Sequence, residues 1–288
     1  MEIKSSKLTR CSLMAIVVVS IFMINIEKPK ALSKNFVNYF GIEMTDSEYN
    51  TLLNLGFTDD EIMYMNAETF KDNKDLDAKL VATSHKYLRI DYPMYGVNEI
   101  TELTEQEYLD ETSGRIPTLR GEVSTIWLHE VGTITQNGSK YRYKNSVNWY
   151  NLPDERYYDV IGIGFDTAVA IDSSVYFNYI YMNSDGTYTS STLYYNKKSL
   201  STGGTTTYKL PTTMYSLSAN IYFDVVKNTN DTLTELEFCA DYAHALYSLT
   251  SSQAANHGIG SLGISFDASV YNYFNQIPCA DTYASVNW

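Results

Sequence analysis

A chain of 288 residues can bury one large core or two modest ones. It carries 21 Lys and Arg against 34 Asp and Glu, a formal net charge of −13. That balance argues against a nucleic-acid partner, whose phosphates need clustered basic residues. Three cysteines with no C-x-x-C spacing argue against a thiol redox centre.

The first element is a leader. Lys4, Lys7 and Arg10 precede an uncharged apolar run over residues 11–24, and Ala31-Leu32-Ser33 offers a small-x-small cleavage site. Residues 1–33 therefore read as a signal peptide. The run is short for a bilayer-spanning helix, which takes roughly 20 residues; an uncleaved signal anchor is the one membrane attachment left open. Cys11 lies at the start of the run, the wrong place for a lipid-modified cysteine, and the final ASVNW lacks the apolar tail of a C-terminal anchor. The expectation is a secreted, extracellular protein, whose mature form has 16 basic and 32 acidic residues, a net charge of −16. In an oxidising compartment Cys239 and Cys279 can pair as a disulfide, with two buried thiols as the alternative. Closing their loop would restrict the unfolded chain by about 4 kcal/mol.

Residues 34–91 read as a small helical region. Thr45 or Asp46 can cap a helix over SEYNTLLNL, with Tyr49, Leu52, Leu53 and Leu55 on its apolar side and Gly56 where helices stop. Thr58 and Glu61 have the spacing of a capping box. Asn66 with Glu68 marks another start. Asp75 marks a last one, with Leu76, Leu80, Val81 and Leu88 as its stripe. Residues 92–118 read as an acidic connector: six acids and no Lys or Arg stand between 92 and 114, with a helical turn at TEQEYLDE.

Residues 119–288 have the texture of an antiparallel β-sandwich, so the expected class is α+β, a small N-terminal helical segment followed by that sandwich. Asn137-Gly138 signals a hairpin, NSDG and STGG signal turns, and YYDVIGIGF, SVYFNYIYM, LSANIYFDVV and GISFDASVYNYF look like strands. No strand-helix alternation points to a parallel sheet. In VYFNYIYMNSDGTYTSSTLYYN, residues 176–182 are expected as an inner strand covered on both faces, and 187–195 as its neighbour with one solvated face. The turn leaves two registers, with Tyr181 opposite Ser190 or opposite Tyr188. Tyr188 and Tyr194 share one face of the second arm and form a candidate binding surface, since tyrosine joins a rigid apolar ring to a polar tip.

LLNLGFTDDEIMYM, followed by NKDL, and the later RYYDVIGIGF resemble segments of uncharacterised secreted proteins of Gram-positive bacteria. The resemblance implies secretion and a helical part preceding a β-rich one; it carries no activity and no site residues. LLNLGFTDDEI also resembles the Leu-Gly-Phe loop of ubiquitin-associated domains. A helix C-cap followed by a core Phe is the reading preferred here, because those domains are intracellular adaptors.

The remaining motifs are weak. Gly258, Gly260 and Gly263 match G-x-G-x-x-G, but polar residues precede them and a strand-like run follows, so glycines at a bulge or a strand's start account for them better than a dinucleotide site. His85, His129, His244 and His257 lack a nucleophile motif or H-E-x-x-H, even with Asp241 three residues before His244 and Glu130 after His129. Asp185 and Asp231 belong to turns rather than to calcium loops. No catalytic, cofactor-binding or metal residue is assigned and no cofactor is expected. The leading reading is a non-catalytic binding protein at or outside the cell wall, with a wall polymer, glycan or protein as partner. An extracellular hydrolase with dispersed Asp and Glu residues is the alternative. A membrane-active toxin comes third, because 175–182 is apolar on both faces where a spanning hairpin must alternate.

Overall fold

The computed structural model describes residues 35–91, 99–113, 125–150, 156–172, 175–195, 202–212, 214–255, 257–260 and 263–288; at 193–195, 215, 259–260, 276 and 278–279 it describes the backbone alone. The expected leader over residues 1–33 lies outside them. Two minimal strands, β1 (Phe36–Val37) and β2 (Glu43–Met44), lead into α1 (Asp46–Asn54), α2 (Asp59–Met63) and α3 (Ala67–Asn73). Each helix starts where a side chain satisfies its free amides. Thr45 and Thr58 form capping boxes with Glu48 and Glu61, and Asn66 Oδ1 accepts the Thr69 amide at 2.9 Å. The Leu-Gly-Phe stretch is a helix end: Gly56 has φ +78°, a Cβ there would stand 2.4 Å from Thr133 Cγ2, and Phe57 is buried.

The expected last helix of this region is instead a strand, β3 (Ala78–Asp91). It pairs along its length with β5 (Thr125–Asn137) and, near its end, with β4 (Glu99–Leu103). The apolar spacing that imitates a helical stripe leaves Leu80 exposed, whereas the period of two puts Leu88 and Ile90 in the core. Strand pairing with residues far along the chain overrides the local pattern. Strands from either side of the acidic segment thus lie side by side in one sheet. Within the acidic segment, β4 extends the main sheet and α4 (Glu105–Thr112) follows a Thr104–Glu107 capping box, where a helical turn is expected.

The remaining strands are β6 (Lys140–Trp149), β7 (Tyr158–Phe165), β8 (Val169–Ile171), β9 (Val175–Asn183), β10 (Tyr188–Tyr195), β11 (Gly203–Lys209), β12 (Met214–Lys227) and β13 (Glu235–Ala245). After α5 (Ser251–Ala254) come β14 (His257–Gly260), β15 (Gly263–Phe266) and β16 (Phe274–Ser285). All pairings among the described residues are antiparallel. The main sheet runs β10-β9-β12-β6-β5-β3-β4, with β8 beside the end of β12, and a second sheet runs β11-β7-β13-β16. Their facing sides form one core that includes Leu88, Ile134, Tyr143, Ile163, Phe223 and Phe238. This is a sandwich-like packing of sheets.

Each sheet is also covered outside. Leu52, Leu55, Phe57 and Ile62 of the helical layer pack against Tyr222 and Tyr176 on the main sheet, while α5 and the β14–β15 hairpin bury Val160 and Ala243 of the second. At roughly 1.5–3 kcal/mol for each large apolar side chain buried, the helical layer is a substantial part of the fold. Residues 34–288 form one compact unit. The G-x-G-x-x-G glycines lie in the β14–β15 hairpin rather than between a strand and a helix, and a Cβ on Gly263 would stand 2.4 Å from Asp241 Oδ2.

β9 is an inner strand and β10 its edge neighbour. Their register is neither of the two expected, because Tyr181 faces Thr189. Asp185 accepts the Thr187 amide at 2.9 Å, the Gly186 amide reaches Asn183 O at 3.0 Å, and Gly186 has φ +81°. Those bonds make a three-residue loop with its glycine in the left-handed region, which shifts the pairing by one.

Candidate functional site, an aromatic cleft at the end of the main sheet

Where β6 ends and β12 begins, the sheet margin and α2 enclose a cleft of about 240 Å³. Ile180 supplies a buried apolar side chain at its base, beside the strand positions of Trp149 and Leu217, whose side chains belong to the core between the sheets. Asn148, Ser216 and Ser218 add polar groups, and the Ser218 hydroxyl has no hydrogen-bond partner among the described residues. Tyr188 of β10 and Tyr64, which caps the end of α2, complete it, their rings stacked at 3.7 Å and 12°. The Tyr64 hydroxyl is pushed up to about 12 by its hydrogen bond to Tyr188, then by burial and the nearby Tyr188, Asp60 and Tyr39. It is a neutral donor at any physiological pH.

The aromatic lip is fixed from below. Buried Asn38 donates to Met65 O at 2.8 Å and accepts the Phe40 and Ile42 amides at 3.0 Å, while the Tyr39 amide reaches Met63 O at 2.9 Å. These bonds hold Tyr39, 47% exposed, against Tyr64 and Tyr188 with centroids 5.5 and 5.3 Å apart. Phe40, 41% exposed, extends the surface at 5.2 Å from Tyr39.

Tyr188 is thus in a site, but not the one expected with Tyr194. Tyr188 pairs with Met182 and Tyr194 with Tyr176, six residues or about 20 Å along the strand. Between them the helical layer takes the face: Asn66 donates to Ser190 and Thr192 at 3.2 and 2.9 Å, and Thr69 meets Thr192 at 2.7 Å. The Tyr194 side chain lies outside the described residues. Asp60 and Tyr64 escaped the sequence reading. Their spacing of four on LLNLGFTDDEIMYM puts them on one helix face, yet nothing local says which strand that face meets.

Three titratable clusters lie elsewhere. Glu130 is fully buried between the sheets, and Asp241, 5% exposed, lies on the outer side of the second sheet, where its carboxylate accepts the Ile264 amide of β15 at 2.6 Å. Burial, followed by the Asp241 charge, holds Glu130 well above the carboxylate range, and burial raises Asp241 to about 7 against the amides of Ile264 and Tyr242. His244 pairs with Asp159 at 2.9 Å rather than with Asp241, and Tyr242 donates to the same carboxylate; His244 and Asp159 are fully buried. Both acid sites are closed to a polymer substrate. His129 and Glu130 point to opposite faces. His129 stacks under Tyr87, with Nε2 3.0 Å from His85 Nδ1. Burial, then His85, lowers it to about 4. Asp185 and Asp231 bond to threonines in their own turns. Among the described residues no group of three His, Cys, Asp or Glu could hold a metal ion, and no helix is long and apolar enough to cross a membrane.

Cys239 is disulfide-bonded. It faces Asp281 on β16, the strand that carries Cys279, whose side chain lies outside the described residues.

No protein-family model matches the chain, and no curated protein matches it significantly. Among solved structures, the enzymatically active domain of bacteriophage CBA120 tailspike protein 4 aligns at 12% identity and a TM-score of 0.21, over 39% of this chain and 16% of that one.

Proposed function

We propose that this is a non-catalytic binding protein that acts outside the cell, after removal of residues 1–33, and takes one sugar unit of a wall polymer or other glycan in the Tyr64–Tyr188 cleft. The observation that carries the reading is the union of half-buried tyrosines with hydroxyl and amide groups in one small concavity, with exposed Tyr39 and Phe40 beside it. Sugar rings offer apolar C–H faces to tyrosine and hydroxyls to serine and asparagine, and aromatic surfaces with polar tips suit such contacts. At about 240 Å³ the cleft is smaller than the roughly 300–1,000 Å³ typical of drug-sized ligands. A single sugar residue, with the polymer continuing over Tyr39 and Phe40, fits that scale.

The test is retention of the purified protein on insoluble polysaccharides and on a broad glycan panel. Tyr188→Ala is expected to weaken binding on the order of tenfold, from the roughly 1–1.5 kcal/mol of one aromatic contact. Absence of binding across the panel would overturn the reading. The hydrolase alternative gains no support from Glu130 and Asp241, because the first is buried between the sheets and the second under the β14–β15 hairpin.

A further inference from the structure

We infer that the cleft selects a sugar bearing a free amino group, a cationic hexosamine unit, over its N-acetylated or anionic counterparts; this rests on the glycan reading above. Three acids open α2, and two are already committed. Asp59 accepts the Tyr49 hydroxyl, and Glu61 is locked to Lys144 at 2.9 Å. Asp60 is exposed, lines the cleft, and has no side-chain hydrogen bond or ion pair with any described residue.

No Lys, Arg or His lines the cleft among the described residues, so an anionic ligand would meet only a carboxylate and the negative faces of tyrosine rings. An ammonium group meets the opposite. It can pair with Asp60 while lying against Tyr64 or Tyr188, whose ring quadrupoles attract cations. The chain's net charge of −13 adds attraction of the same sign at long range.

The experiment compares fully deacetylated glucosamine oligomers, the same oligomers N-acetylated, and a uronic-acid oligomer, by calorimetry at pH 6 and low salt. The amine form is expected to bind about tenfold tighter than the N-acetylated one, with the uronate weakest. Asp60→Asn should abolish that preference and Asp60→Glu restore it, with circular dichroism checking that α2 is intact. Tyr188→Ala should weaken both hexosamine forms. Equal or tighter binding of the N-acetylated oligomer, or a preference that survives Asp60→Asn, overturns the inference while the glycan reading stands. If neither hexosamine form binds, the inference falls, and the glycan reading falls with it when the wider panel is unbound as well.

Discussion

Glu130, buried between the sheets, carries one carboxyl oxygen 3.1 Å from Asn145 Nδ2 and another with no hydrogen-bond partner among the described residues. Its folded-state value and that of Asp241 lie above the roughly 4 of the unfolded chain. The stability these groups contribute is therefore complete below about pH 4 and is lost as pH rises through about 7 and beyond. His129 works the other way: its depressed value makes its contribution complete above about pH 6.5 and lost as pH falls towards 4. Between pH 6.5 and 8 the carboxylates act alone of these three. Urea unfolding should show stability falling over that window, and Glu130→Gln should flatten the fall and stabilise the protein at pH 8 by about 1–3 kcal/mol. An unchanged slope in the variant would show that Glu130 does not titrate there. Glu130 was visible in the sequence only as one acid among many. The Asn145 amide that it bonds lies on the next strand, and the Asp241 charge that helps raise it comes from 111 positions away; no spacing records either.

The element that ties the helical layer to the sandwich is α2. Its Glu61 reads from the sequence as the far half of a capping box, and it is that: the Thr58 amide reaches its Oε2 at 2.8 Å. The same carboxylate also takes Lys144 of β6, Ser146 and Asn220 at 2.9, 3.0 and 3.2 Å. Lys144 is equally buried, also bonds Gly56 O at 3.0 Å, and stands 4.9 Å from the Phe57 ring. Burial holds its ammonium below the ordinary lysine value, and Glu61 draws it back up. Lys144→Met leaves Glu61 buried and uncompensated, so a loss of about 3–5 kcal/mol is expected in chemical denaturation. Lys144→Met with Glu61→Gln should recover more than half of that, and no recovery would mean that packing rather than charge is at stake. Because α2 carries Asp60 and Tyr64, a variant loosened here should also lose the cleft.

At the scale of the whole molecule, Cys239 joins the second sheet to a covalent partner, and we expect that partner to be Cys279. Peptide mapping under non-reducing conditions should recover the two cysteines cross-linked, and a free thiol at Cys279 would refute the pairing. Reduction is expected to lower stability by up to about 4 kcal/mol. What the sequence by itself determined is what rests on neighbours along the chain: a cap at Thr45 or Asp46, the caps at Thr58 and Asn66, a helical turn over 104–111, the stop at Gly56, the turns at Gly138 and Gly186, and the strands β7, β9 and β12. These follow from amide satisfaction, positive φ and side-chain alternation within a few residues. Only the tertiary structure decided that residues 78–91 are a strand, that Asp60 and Tyr64 meet Tyr188, and that the Asp241 charge reaches Glu130. In each case the deciding partner lies tens to more than a hundred positions away, and a local pattern is silent about which distant strand will supply the hydrogen bonds or the opposing charge.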